Sequence, residues 1–541
     1  MSTEIRNVDH IFKRFADLEG GRTTYNNMWD TITEFVIPHR GDFTAKRAPG
    51  SRRDRRLFDS TAIRANEYLA ATLKEGIMPI HDIWGKVESM SPELNQTDQF
   101  AEFFDRLNRI IYNQFSNPKT NFHSQNHEIF LDLCAYGTAC MYVDDDRGRG
   151  LRFKTIHLSE IFIAEDKNGL VDTVFRKFQL TPRQAAQEWG FENLSSDLQS
   201  LSQQSPDDLV DFLHCVKPND DYDGTKKGAT NLPFSSYYCE FTSRHVLETG
   251  GYHEMPYMIP RWFKFVGEIY GRSPAWGAMP DIMMINNLKS ILIRASQKAA
   301  DPVYLVADDG VVLPLDTRPG GVNFVSRGPS GQMDNIQTLP NDGKFDVTYK
   351  LLETVQVDIR NAFYIDPLAM RDTDRMTATE VNERRDEQLR FIGPQVGRIQ
   401  TEYIGPLLQR IYGLLERAGK LPKMDPEMEK ILNKVGLDIA YSAPLFNTER
   451  RQEPMAFQRT IQAITPLLQL NPGLMNVFDQ ETVAREIAMV YGTPASYIKD
   501  VDVYEGEKAA AEQQQAQAQQ AMMDNQQAQT MAAMQKGTPK E

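Results

Sequence analysis

The chain carries only four cysteines in 541 residues, Cys134, Cys140, Cys215 and Cys239, and no two stand in CxxC spacing. They provide neither a disulfide framework nor a paired-thiolate metal site, so reduced thiols in a cytoplasmic setting are expected. No apolar run reaches the roughly 18 residues that a membrane-spanning helix needs, and no signal peptide is visible. A basic excess is also missing. There are 60 Lys and Arg against 74 Asp and Glu, a net charge of −14, whereas tight nucleic-acid binding needs cations to replace the counterions around the phosphates. Nucleotide and acyl-transfer motifs are absent as well. Gly85-Lys86, Gly343-Lys344 and Gly419-Lys420 are followed by Val87, Phe345 and Leu421, not by the Ser or Thr of a P-loop. There is no G-x-S-x-G and no clustered Ser/His/Asp or Cys/His set. His123 and His127 share a helical face, but Ser124 stands where a metalloprotease has its glutamate. Asp144-Asp145-Asp146 reads as a solvated turn ending a strand. The chain is therefore expected to be no enzyme and to need no cofactor or metal.

What is present is a long, ordinary globular composition, beyond the roughly 250–300 residues that one core supports. The first half reads as α+β. A helix is expected over 1–38, followed by a basic loop from Arg40 to Arg56, which is either a solvated or inter-subunit salt-bridge surface or a phosphate patch. A helix opens at Leu57-Phe58-Asp59-Ser60-Thr61-Ala62, with a strand at 84–90 and helices at 98–116 and 121–140 to follow. Strands are expected at 140–143, 152–157, 161–164 and 171–179, with Asn168-Gly169 as a hairpin turn. Thr181-Pro182 starts a short helix, 195–206 reads as a polar linker, and 209–216 and 235–243 alternate like strands. Residues 255–266 read as extended.

The second half is mainly helical. A helix over 280–300 is separated from another over 345–364 by residues 302–344, whose six Gly and five Pro exclude helix and favour small strands at 303–306, 311–315 and 322–325. The simplest geometry is an antiparallel helix pair with a β-rich knob at its far end. On the second helix Val347, Leu351, Val355, Ile359 and Phe363 recur every four residues. Asp366-Pro367 breaks the pattern. Thr377 and Glu380 form a capping box for a further helix to Gly419, in which Gly393-Pro394 and Gly405-Pro406 predict kinks. Beyond lie a short helix to Val435, a strand at 437–442, helices at 448–470, 473–478 and 480–491, and a Gln-, Ala- and Met-rich stretch at 507–536 that could be helical only with partners.

Four separated stretches carry a resemblance. Leu57-Phe58-Asp59-Ser60-Thr61-Ala62 through Trp84, Pro256-Tyr257-Met258-Ile259-Pro260-Arg261-Trp262, Gly267-Glu268-Ile269-Tyr270-Gly271-Arg272-Ser273-Pro274, and Met376-Thr377-Ala378-Thr379-Glu380-Val381 through Gly393-Pro394 together resemble the portal, or head-to-tail connector, proteins of short-tailed bacteriophages. The resemblance implies a mainly helical α+β portal fold with these parts: a wing at 1–278, stem helices at 279–301 and 345–364, a clip at 302–344, a tunnel loop or valve at 365–376, a long kinked wing helix at 377–419, a crown at 420–505 and a C-terminal helical barrel at 506–541. It further implies a homo-dodecamer at one capsid vertex of the virion, assembled in the host cytoplasm, through which double-stranded DNA passes without sequence specificity.

The partners implied are the major capsid and scaffolding proteins, the terminase large subunit during packaging and then a tail adaptor or other tail proteins, with no membrane involved. Tyr364, Asp366, Met370, Arg371 and Arg375 are the expected valve residues. Lys289, Arg294, Lys298, Lys350 and Arg360 are the expected channel-lining cations, each alternatively an inter-protomer salt bridge. Asp308, Asp309, Arg318 and Arg327 are expected on the docking clip. The alternatives are another virion component such as a tail adaptor, or a nucleic-acid-processing enzyme.

Overall fold

The computed structural model describes residues 2–44, 50–51, 56–80, 82–95, 97–145, 150–226, 228–300, 304–306, 336–338, 345–365 and 392–441, with scattered positions beyond. In chain order these contain α1 (Ser2–Gly21), α2 (Thr23–Phe35), α3 (Thr61–Ile77), β1 (Gly85–Ser89), α4 (Pro92–Asn95), α5 (Asp98–Ser116), α6 (Phe122–Tyr136), β2 (Met141–Asp145), β3 (Leu151–Thr155), β4 (Ile161–Glu165), β5 (Val171–Leu180), α7 (Pro182–Trp189), α8 (Ser196–Gln204), β6 (Val210–Pro218), β7 (Phe234–Glu240), β8 (Val246–Tyr252), β9 (Tyr257–Met258), α9 (Pro274–Ala300), β10 (Tyr304–Val306), β11 (Ile336–Thr338) and α10 (Phe345–Ala362). Residues 392–399 are helical and lead through a π-turn, Gln400–Ile404, into α11 (Gly405–Arg417), followed by α12 (Pro426–Val435) and β12 (Leu437–Tyr441). The fold is mixed helix and sheet, as the α+β reading expects.

The chain divides into two compact units, Met1–Gly85 with Ile111–Lys420, and Lys86–Ile110 with Leu421–Glu541. In the larger unit, β4 to β8 form an antiparallel five-stranded sheet in sequential order. Alternation along its strands sends side chains to opposite faces. Leu213, Cys215, Phe162 and Phe175 meet Val8, Ile11, Phe12 and Phe15 of α1. Phe212, Phe178 and Leu247 meet Ala185, Trp189 and Leu198 of α7 and α8. A smaller sheet runs β3-β2-β9. In the other unit β1 pairs with β12, and the Asn108 side chain bonds both the amide and the carbonyl of Val87 at 2.8 and 3.0 Å.

Several expectations change. The helix over 1–38 is two helices broken at Arg22, whose buried guanidinium leaves the helix to bond the carbonyls of Leu158 and Ser159 at 2.9 Å each. The polar linker is α8: its Ser195 hydroxyl accepts the Leu198 amide, a cap that a Ser- and Gln-rich stretch with few apolar residues conceals. Strand β8 is additional, and within 255–266 only Tyr257–Met258 is strand. α9 begins six residues before Pro280 and carries it inside, held by the buried Ala275, Ala278, Met279 and Ile282. The irregularity beside Gly405-Pro406 is the π-turn, where the Gly405 amide reaches back five residues to Gln400. That widening accommodates the donor that Pro406 lacks. The capping box at Thr377, the strands expected at 311–315 and 322–325, the helix at 473–478, and most of 448–470, 480–491 and 507–536 lie outside the described residues.

Candidate functional site

The helices α9 and α10 pack together, and β10 pairs antiparallel with β11 between them in sequence. Asp59, from the first of the four stretches, ties the pair. Its Oδ2 takes Lys289 Nζ at 2.5 Å and Gln356 Nε2 at 3.2 Å, and its Oδ1 takes the Thr61 amide at 2.7 Å. Asn286 Oδ1 accepts the amides of Phe58 and Asp59. Lys289 stands eleven residues before the end of α9 and Gln356 eleven after the start of α10, so one carboxylate joins the two helices at matching distances from the segment that connects them. Burial would raise the Asp59 pKa, yet the bonds from Lys289, Thr61 and Gln356 hold it below the ordinary value.

Burial along the hairpin is graded. At its base Ile282, Ile285, Val355, Ile359 and Phe363 are buried, while toward the far end Val347 and Leu351, members of the same four-residue stripe, are 64% and 44% exposed. α9 also carries a second apolar row. Met284, Leu288, Ile291 and Ala295 recur at helical spacing on the face opposite Ile282, and Ile291 is 59% exposed. Each helix thus leaves part of an apolar row exposed on this protomer, Met284 and Ile291 on α9 and Val347 and Leu351 on α10.

The expected channel cations separate in character. Lys289 is neutralised within its own protomer by Asp59. Arg294, Lys298 and Lys350 are exposed, and Arg360 is half-buried in the last turn of α10. Tyr364, in left-handed backbone (φ 59°), packs its ring 6.3 Å from that of Trp262, and burial raises its hydroxyl pKa. Asp366, Met370, Arg371, Arg375, Asp308, Asp309, Arg318 and Arg327 lie outside the described residues. Among the described residues no group of three His, Cys, Asp or Glu could hold a metal ion.

The second and third stretches prove to be joints of the body. Gly137, at φ 83°, meets Gly271 so closely that a Cβ on either would collide with the other segment's backbone. Around that contact Trp262 donates its amide to Gly137, Gly271 to the Thr138 hydroxyl, and the Ser273 hydroxyl bonds the Ala135 carbonyl. Arg261 is fully buried and bonds Glu402 of the π-turn and the carbonyls of Gly169 and Ile269. Arg410 of α11 is likewise buried, pairing with Glu254 and with Asp144 at 3.1 Å each. Asp144 of the acidic run is thus an ion-pair partner instead of a solvated turn residue. Sequence pattern marks such arginines only as charges on helices or between prolines, because Glu402 lies 141 residues from Arg261, and Glu254 and Asp144 lie 156 and 266 from Arg410.

Comparison with known proteins agrees with the four stretches. The chain is 28% identical over 535 residues to the "Probable portal protein" of Bordetella phage BPP-1, covering 97% of this chain and 94% of that one. To the "Portal protein" of Salmonella phage epsilon15 it is 24% identical, covering 94% and 92%. To that of Escherichia phage T7 it is 23% identical, covering 78% and 77%. A family description, "Bacteriophage head to tail connecting protein", matches residues 8–498, and the chain belongs to that family.

Proposed function

We propose that this portal protein assembles as a ring of twelve copies at one capsid vertex and conducts double-stranded DNA during packaging and ejection. The observation that carries the ring is the exposed part of each apolar row on α9 and α10. A closed ring needs two different surfaces per protomer that fit each other head to tail, and the hairpin offers one row on each helix. The stem is 279–301 with 345–364, the clip 302–344 is the docking face for the terminase large subunit and then the tail adaptor, and 365–376 is the gate that retains DNA. The wing is 1–278 with the kinked helix 377–419, which meets capsid and scaffolding proteins, the crown is 420–505, and 506–541 forms the barrel. With a net charge of −14, such a conduit repels phosphate on average and lets DNA slide, while exposed Arg294, Lys298 and Lys350 supply a few attractive levels. The work of packaging comes from the separate terminase, since this chain has no P-loop.

Native mass measurement of the purified assembly, with negative-stain images, tests the reading. Twelve protomer masses and a central hole of duplex width are expected. A stable monomer, or a ring of another order without a through-hole, overturns it.

A further inference from the structure

Just before α9, the chain that follows β9 forms a braced apolar prong. Phe263 and Arg272 exchange both backbone hydrogen bonds, at 3.2 and 2.7 Å, and the Glu268 amide closes a turn onto the Phe265 carbonyl at 3.1 Å. At the tip Val266 is fully exposed, with Phe263 and Phe265 exposed beside it. Turn tips are ordinarily polar, and grouped apolar side chains at a surface mark a contact. The charged side chains of the prong are already engaged. Glu268 takes the Arg272 guanidinium, whose Nε lies 2.8 Å from Oε2, and Lys264 pairs with Glu165 at 2.6 Å. Arg272 also lies over the rings of Phe265 and Trp276, 4.8 and 4.9 Å from their centroids. That stack joins the prong to the first turn of α9. From Trp276 the row continues along one face of the helix through Pro280, Met284 and Ile291, all three exposed.

We propose that this prong packs against a second copy of the chain, so that the contact between neighbouring copies reaches from α9 into the body. The inference rests on the ring reading and names a further place where copies meet. An apolar tip whose adjacent cations are already paired offers nothing to phosphate, which points to a protein partner. Continuity with α9 selects a second copy among proteins, because whatever covers Ile291 and Met284 also meets Pro280, Trp276 and Phe265. A head-to-tail contact needs a different receiving surface. α3, which packs on α10 as α2 packs on α9, supplies one, with Tyr68 on its outer face and Ile80 and Ile83 beyond its end, all exposed. Since ion pairs and backbone bonds already fix the prong, docking it loses little conformational freedom.

The four native cysteines are buried, so in full-length Val266→Cys a maleimide-linked benzophenone attaches at the tip alone. Illumination of the purified assembly gives a covalent dimer on denaturing gels, with the attachment in residues 61–83 of another copy. Val266→Asp, which costs the protomer no burial, raises several-fold the protein concentration at which the assembly half-dissociates in native mass spectra. Intact rings that yield no dimer, or that hold together as well with Val266→Asp, overturn the inference and leave the ring standing, whereas a monomeric protein overturns both. A dimer joined prong to prong overturns it too, because that contact pairs copies two by two instead of head to tail. In assembled heads, attachment to a different protein in place of a second copy assigns the prong to that protein and overturns it as well.

Discussion

Arg261 holds Glu402 with two nitrogens in parallel, Nε on Oε2 at 3.0 Å and Nη2 on Oε1 at 2.6 Å. The same fully buried guanidinium pairs with Glu165, so one cation joins the β4–β5 hairpin, the segment after β9 and the π-turn. Burial alone would lower the Arg261 pKa, but Glu402 and Glu165 raise it.

Arg261→Ala would leave the largely buried Glu402 without its ion pair, while Glu165 keeps Lys264 at 2.6 Å, and a loss of about 3–5 kcal/mol is expected. Arg261→Lys should recover only part of that, because an ammonium cannot form the fork. Thermal melting at one fixed protein concentration reads both, since assembly shifts the apparent midpoint. A lysine variant melting with the wild type would show that charge alone, not the fork, holds the joint.

Asp132 on α6 gives a pH dependence. It is buried beside Arg40, whose Nε lies 2.8 Å from Oδ1, while Oδ2 has no hydrogen-bond partner. Burial raises its pKa to about 7 despite Arg40. For Arg40, burial lowers the pKa but Asp132 and Glu128 together raise it. An acid whose folded pKa exceeds its unfolded value, roughly 3.9, binds more protons when folded. It therefore subtracts stability as pH rises between about 4 and 7, and the loss stays constant above. Asp132→Asn imitates the protonated form, so its melting temperature relative to the wild type should climb across that window and then level. A relative decline with rising pH would mean that the Arg40 pair outweighs burial.

Much of this fold was legible because periodicity is local. The helix start at Thr181-Pro182 and the helices expected over 98–116 and 345–364 need only neighbours in sequence, and the structure gives α7 as Pro182–Trp189, α5 as Asp98–Ser116 and α10 as Phe345–Ala362. What stayed hidden depends on partners far along the chain. Lys289 reads as a polar-face cation until Asp59, 230 residues earlier, is seen to neutralise it. Arg22 breaks a helix whose apolar pattern continues, because its donors find carbonyls after β3. The stripe from Val347 to Phe363 was visible as one row, but periodicity cannot say which part a protomer buries alone.

That division of the stripe gives the sharpest mutational contrast. Val347, Leu351 and Ile291 are exposed in the protomer, so Leu351→Glu and Ile291→Glu should leave its fold and melting nearly unchanged. In a ring each of these side chains would bury about 1.5–3 kcal/mol of apolar surface per interface, repeated at every subunit contact, and a carboxylate there would face hydrocarbon. Native mass should therefore show dissociated protomers for either substitution. Ile282→Glu, at the fully buried base of the same hairpin, should instead unfold the protomer, seen as lost circular dichroism or insolubility. Intact rings from both Leu351→Glu and Ile291→Glu would place the subunit contact elsewhere and remove the two apolar rows as its cause.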